Sequence, residues 1–296
     1  MNTTALAPTS TRVPFVASLL AVVAGLAWSL GALTARVARH TDAFQYLVWR
    51  SIGVIVVMEV MTRLRGGAPL MPKAYTSGKT MQLATVGLLV ASLAFVYALK
   101  NTTAANAAFL SSLTPLIAAV VGRVVLKERL TRVTIGCIVV ALGGLLIMVT
   151  ADLGTGNMLG NAAAMLSSVG FGMYMICIRS SSARDWSPVL PGYAVAMIAL
   201  CCVVTLVNGK TLLPPAGDAL LAMLHGGVFI VVGTLLFNLA SKSVPAVGMA
   251  VFSQSENVFV PLWIFLWFNE RPKPATLIGG GVIMAAVLTK AVLDAR

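Results

Sequence analysis

Charge is what this chain most lacks. Only 10% of its 296 residues are Asp, Glu, Lys or Arg, and just 9 of these are acidic, whereas soluble domains carry about 25%. At 58% hydrophobic residues and a mean hydropathy of +0.93, no soluble fold of this length could cover its apolar surface. A water-soluble enzyme, a disordered regulator and a disulfide-stapled secreted domain are excluded together. The four cysteines, Cys137, Cys177, Cys201 and Cys202, fall inside apolar runs without CxxC spacing. They read as small buried hydrophobes, so no metal and no cofactor is expected. The chain also lacks a GxxxxGK(S/T) loop, HExxH and GxSxG, and it has no mid-membrane Asp for a protease dyad. Neither an enzyme nor an ATP-driven pump is expected, and nothing implies an ATP-binding subunit.

What is present is a series of long apolar runs. Ten are bounded by charge, Pro or Gly: 13–35, 43–62, 79–99, 104–126, 131–150, 156–178, 186–207, 218–240, 245–268 and 273–294. Each is close to the roughly 20 residues a helix needs to cross the hydrocarbon core. The first is too long for a signal-peptide core and closes on no Ala-x-Ala site, so it is expected to stay as helix 1. The net charge of +12 does not form a basic stripe with interleaved aromatics, so no nucleic-acid partner is expected. Lys and Arg instead cluster at the ends of the runs. With the N-terminus cytoplasmic, the inner segments hold 14 of them and the outer segments 6, with Arg50 inside helix 2. Basic residues accumulate on the cytoplasmic side, which predicts a multi-pass plasma (inner) membrane protein with both termini inside.

The two halves repeat. A shift of 142 residues places Ala98 and Lys100 on Ala240 and Lys242, Ser111 on Ser253, and Glu128-Arg129 on Glu270-Arg271. One inserted residue then brings Gly136 to Gly279, and Asp42 and Asp185 correspond one residue off. The expected units are 1–151 and 152–296. Five helices per unit is an odd number, so the second unit enters the membrane upside down. Inverted repeats of this kind build alternating-access transporters with a midplane site between the repeats.

The segment 104–148, AANAAFLSSLTPLIAAVVGRVVLKERLTRVTIGCIVVALGGLLIM, resembles the second part of an EamA module. It has the Ala-rich start, the mid-helix Pro115, the Glu-Arg pair and a Gly-led fifth helix. Its weaker second copy runs over 244–284, where Asn257 replaces the proline and Pro272 and Pro274 follow the Glu-Arg. The resemblance implies the drug/metabolite transporter superfamily. Its ten-helix members mostly export small metabolites, including amino acids, with helices 5 and 10 behind a central cavity made by the other eight. The expected fold class is therefore an all-α membrane protein, ten transmembrane helices as two inverted five-helix repeats around that cavity.

Polar side chains inside the runs mark the candidate site. Ser253, Gln254, Glu256 and Asn257 share about a 160° arc of helix 9, and Ser111, Ser112 and Thr114 of helix 4 map onto the first three. A carboxyl at the bilayer centre costs roughly 2.5–3.5 kcal/mol on insertion scales, so Glu256 must face a cavity or a partner. Arg50 is its candidate partner or a group for a substrate carboxylate, with packing, gating and snorkelling as alternatives. Glu256 and His225 are the candidates for proton coupling. Trp28, Tyr97, Tyr174 and Asn238 are expected to line the cavity. Pro115 and Pro261 are candidate hinges, and Gly143-Gly144 and Gly279-Gly280-Gly281 read as close-packing surfaces of helices 5 and 10. With one acid and few cations, the pocket suits a small neutral or zwitterionic metabolite, and amino acids, aromatic ones among them, are the expected cargo. A channel-like facilitator and an exporter of drugs or other metabolites are the rival readings.

Overall fold

The computed structural model describes residues 13–102, 104–128, 130–150, 157–269 and 273–295. Arg12, Arg129, the Gly154-Thr155 loop, Glu270-Arg271 and Arg296 lie outside them. The first repeat comprises α1 (Phe15–Val37), α2 (Ala43–Leu64), the short α3 (Leu70–Thr76), α4 (Lys79–Asn101), α5 (Ala104–Ser111), α6 (Thr114–Val125) and α7 (Arg132–Val149). The second comprises α8 (Met158–Ser180), α9 (Val189–Val207), α10 (Ala216–Leu224), a π-helical turn (His225–Ile230), α11 (Val231–Ala240), α12 (Ala246–Ser253), α13 (Ser255–Phe268) and α14 (Pro274–Ala295). Among the described residues, nine helical stretches are long and apolar enough to cross a membrane. The tenth is α2, 22 residues long and carrying Arg50, Glu59 and Arg63.

The internal repeat is visible in the helix bounds. Moved by 143 residues, α1 coincides with α8 at both ends and α2 ends where α9 ends; moved by 142, α5 coincides with α12. Packing follows the same exchange. α4 lies along α8 while its counterpart α11 lies along α1, and α2 pairs with α9, α6 with α12 and α7 with α14. Because each repeat makes five crossings, the start of α1 and the end of α14 lie at the same end of the bundle: the Val13 amide donates to the Asp294 carbonyl at 2.9 Å.

Helix termini are fixed by local chemistry. Asp42 caps α2 through the Phe44 and Gln45 amides at 2.8 and 3.0 Å, and Lys210 pairs with it at 3.1 Å. Burial pushes the Asp42 carboxyl up, but those amides and Lys210 together hold it below its ordinary value. Glu59 accepts from the Leu70 and Met71 amides and so starts α3. Glu128, from the repeated Glu-Arg pair, accepts from the Ala246 amide at the start of α12 and from Arg179 Nε at 3.1 Å. A carboxylate on a helix N-terminus meets both the free amides and the positive end of the dipole. The motif therefore ties the two repeats together at one end of the bundle.

Two apolar runs expected to be single helices are broken, at Ser112-Leu113 and at Gln254. The breaks are repeat equivalents. Pro115 sits at the second position of α6, just past the first break, whereas Pro261 lies inside an uninterrupted α13, seven residues beyond the second. Asn257 stands where the proline would be. In the scaffold only one glycine of each cluster makes the close approach: a Cβ on Gly144 would lie 2.8 Å from the Gly279 carbonyl. Gly143 and Gly281 have open space.

Candidate functional site

A cavity of about 860 Å³ lies between the repeats. From the two helix breaks its lining runs to Ala35, Leu99, Val149 and Ile264 in the last turns of α1, α4, α7 and α13, and to Thr276 at the start of α14. All of these lie at the end opposite Val13 and Asp294. Among the described residues, the terminal turns at the Val13 end contribute nothing to the lining. Midway along α1 and α8, Trp28 and Phe171 meet edge to face with centroids 5.7 Å apart, and Phe237 packs behind them at 5.1 and 5.6 Å. The cavity is a vestibule open toward one end and floored by aromatic rings.

At the floor of the vestibule the two breaks face each other. Asn257 Nδ2 donates to Ser112 Oγ at 3.0 Å and to Gln254 Oε1 at 2.8 Å, and Gln254 Nε2 reaches the Ser112 carbonyl at 3.4 Å. An interrupted helix leaves carbonyls and amides without intrahelical partners, and inside a membrane such groups survive only against protein or a cavity. Here each break supplies partners to the other. Ser111, Ser112, Thr114, Ser253, Gln254, Glu256 and Asn257 all line the cavity, as do Trp28, Arg50, His225 and Pro261.

The two charged candidates stand apart. Arg50 is 4% exposed; it donates to Ser92 of α4, and its Nε has no partner. Its backbone is pinned by the π-helical turn, since a Cβ on Gly226 would collide with the Arg50 carbonyl oxygen. Glu256 lies on α13, beside α1, with no hydrogen bond or ion pair to the protein among the described residues. The expected Arg50–Glu256 pair does not form. Lys273 stands at the mouth. His225, in the π-helical turn, is buried with Nδ1 2.8 Å from the Tyr46 hydroxyl, which lies 3.3 Å from Thr34 Oγ1. Single π-turns in α-helices are frequent at functional sites.

Three sequence candidates lie outside the lining. Tyr174 and Asn238 bond to each other one layer beneath the aromatic floor, Tyr174 fully buried against Phe171 and Phe237. Tyr97 is half-buried on α4, and its carbonyl accepts from Asn101. Conversely Ser92, Phe95, Ser167, Phe171, Tyr193 and Thr234 line the cavity unannounced. The repeat could have found four of them. With the shifts of 142 and 143, Ser92 pairs with Thr234, Trp28 with Phe171 and Arg50 with Tyr193.

An all-helical bundle of two five-crossing repeats, built around a largely apolar cavity with polar side chains at its floor, is the architecture of a polytopic membrane protein. The family model described as "EamA-like transporter family" matches residues 15–150 and 158–289, and the chain belongs to that family. No match was found among curated proteins. A solved crystal structure 18% identical to the chain superposes with a TM-score of 0.81, covering 96% of this chain and 100% of the other. That likeness is one of fold.

Proposed function

We propose that this transporter is a carrier that exports a small neutral or zwitterionic metabolite by alternating access. Amino acids with apolar or aromatic side chains are the leading cargo. The observation that carries the reading is the one-sided vestibule within a two-fold repeat. If the repeats exchange their conformations, the same residues would form a vestibule toward the Val13 end and close the present one. The meeting of the two helix breaks at the floor supplies a pivot for that exchange. Cavity chemistry supports the cargo class: hydroxyls and amides accompany one acid, and among the described residues the lining cations are Arg50 inside and Lys273 at the mouth. A polyanion would need a deep cluster of Lys and Arg. The volume suits a molecule of amino-acid size with its hydration. The excess of basic residues on the Val13 side supports placing both termini in the cytoplasm of a plasma (inner) membrane, and the vestibule then opens outward.

Counterflow tests this reading. Proteoliposomes preloaded with unlabelled phenylalanine or leucine should accumulate the labelled compound transiently and saturably. Linear flux without counterflow would favour a channel-like facilitator. Robust phosphate-ester exchange with no amino-acid flux would overturn the cargo assignment.

A further inference from the structure

The scaffold around the cavity obeys the internal repeat, but its charges do not. Ser92 is matched by Thr234 and Ser111 by Ser253, like by like. Arg50, however, is matched by Tyr193, and Glu256 by Thr114. The two charges thus sit on one half each, at positions whose repeat equivalents are uncharged.

Among the described residues, neither charge has an oppositely charged partner. Arg50 is almost fully buried with its Nε unpartnered and a serine, not a carboxylate, on its terminal nitrogen. Glu256 has no side-chain partner among the described residues, because the neighbouring Asn257 is committed to Ser112 and Gln254. Burying a charge within a membrane without a counter-ion is costly. Two opposite charges facing one cavity without meeting leave a gap with a positive and a negative pole. Trp28 and Phe171 form its aromatic floor.

We propose that Arg50 and Glu256 are the two specificity-determining poles for a zwitterionic cargo. The cargo carboxylate lies on the Arg50 guanidinium beside Ser92, its ammonium on Glu256, and its apolar side chain on the aromatic floor. The assignment rests on reading the cavity as the cargo site and goes further by giving each end of the cargo its own residue. A guanidinium matches a carboxylate in planar, forked geometry. A cargo lacking either end leaves one pole unpaired and is rejected, as polar sites reject analogues missing a hydrogen-bonding group.

The test is competition against labelled phenylalanine counterflow in proteoliposomes, with phenylalanine methyl ester and N-acetylphenylalanine as the probes. Wild-type protein should be inhibited at least tenfold more weakly by either probe than by phenylalanine. Arg50→Gln should lose discrimination against the ester and keep it against the N-acetyl compound; Glu256→Gln should do the reverse. Ser92→Ala, a milder change, should weaken discrimination at the carboxylate end even if Arg50→Gln does not fold. Equal inhibition by all three compounds in the wild type, or discrimination unchanged in the variants, overturns the proposal and leaves the carrier reading standing. Absence of saturable amino-acid flux in the wild type overturns the carrier reading and this assignment with it.

Discussion

At the residue scale the structure separates charges that hold the fold from those that face the cavity. Glu128 belongs to the first kind, capping α12 and pairing with Arg179, whose Nη1 also reaches the Ser241 and Lys242 carbonyls at 3.2 Å. Glu128→Ala should lower stability by about 1–3 kcal/mol, the range for losing a cap together with a charged hydrogen bond. A melting curve in detergent would show it as a reduced Tm. Glu256 belongs to the second kind. With no protein partner to strand, Glu256→Gln should melt within a few degrees of wild type while losing at least tenfold in flux. Thermal melts and proteoliposome uptake on one preparation check both halves. Asp42 adds a pH dependence. Its folded carboxyl is held below the ordinary value of 3.8, so the cap stabilises fully above that value and the benefit is lost as pH falls through the lowered one. Asp42→Asn should therefore narrow the stability gap to wild type as the medium is acidified below about pH 4, a comparison available from melts across pH.

At the scale of elements, spans were legible and their interiors were not. Ten apolar runs end within a few residues of the observed crossings because hydropathy reports where backbone must hydrogen-bond internally. It is blind to which helical register that bonding takes. The π-helical turn at His225–Ile230, the break at Gln254 and the short α3 within the longest connection therefore left no signal of their own. The prolines differ. Pro115 marks its break, which lies in the preceding turn, where a proline removes the hydrogen bond to residue i−4. Pro261 sits within a continuous helix, and the second break is bridged by Asn257 and Gln254. Helix rotation is equally hidden. Tyr174 and Asn238 lie well inside apolar runs, as cavity residues should, yet face each other beneath the floor. Carrying the repeat through the polar residues of every helix, rather than those of the fourth and ninth alone, would have found Ser92 with Thr234. At this scale the π-helical turn yields a prediction. Gly226→Ala must push that turn off the Arg50 backbone and should cost about 1–3 kcal/mol, as overpacking does. The Tm should fall accordingly, and Gly281→Ala, in open space on α14, should leave it unchanged.

At the scale of the whole molecule, ten crossings bring Val13 and Asp294 together and place the Lys210–Thr211 turn at the opposite face from α3. Single cysteines at Leu213 and at Lys73 should react with a membrane-impermeant maleimide from opposite sides of sealed vesicles. Labelling from one side would contradict the span count. The proposed exchange of repeat conformations makes a stronger demand, because it links the two ends. Spin labels at Lys100 and Leu266 report the mouth proposed as outer, between α4 and α13, and labels at Lys242 and Val124 report the repeat-equivalent positions proposed as inner, on the segment after α11 and on α6. Pulsed electron–electron distance measurements in liposomes, with and without saturating phenylalanine, test the central claim most directly. Alternating access predicts a second population in which the outer pair is several ångströms closer and the inner pair further apart, with its share changed by the amino acid. Distances that stay fixed at both ends while the labelled protein still transports would contradict it.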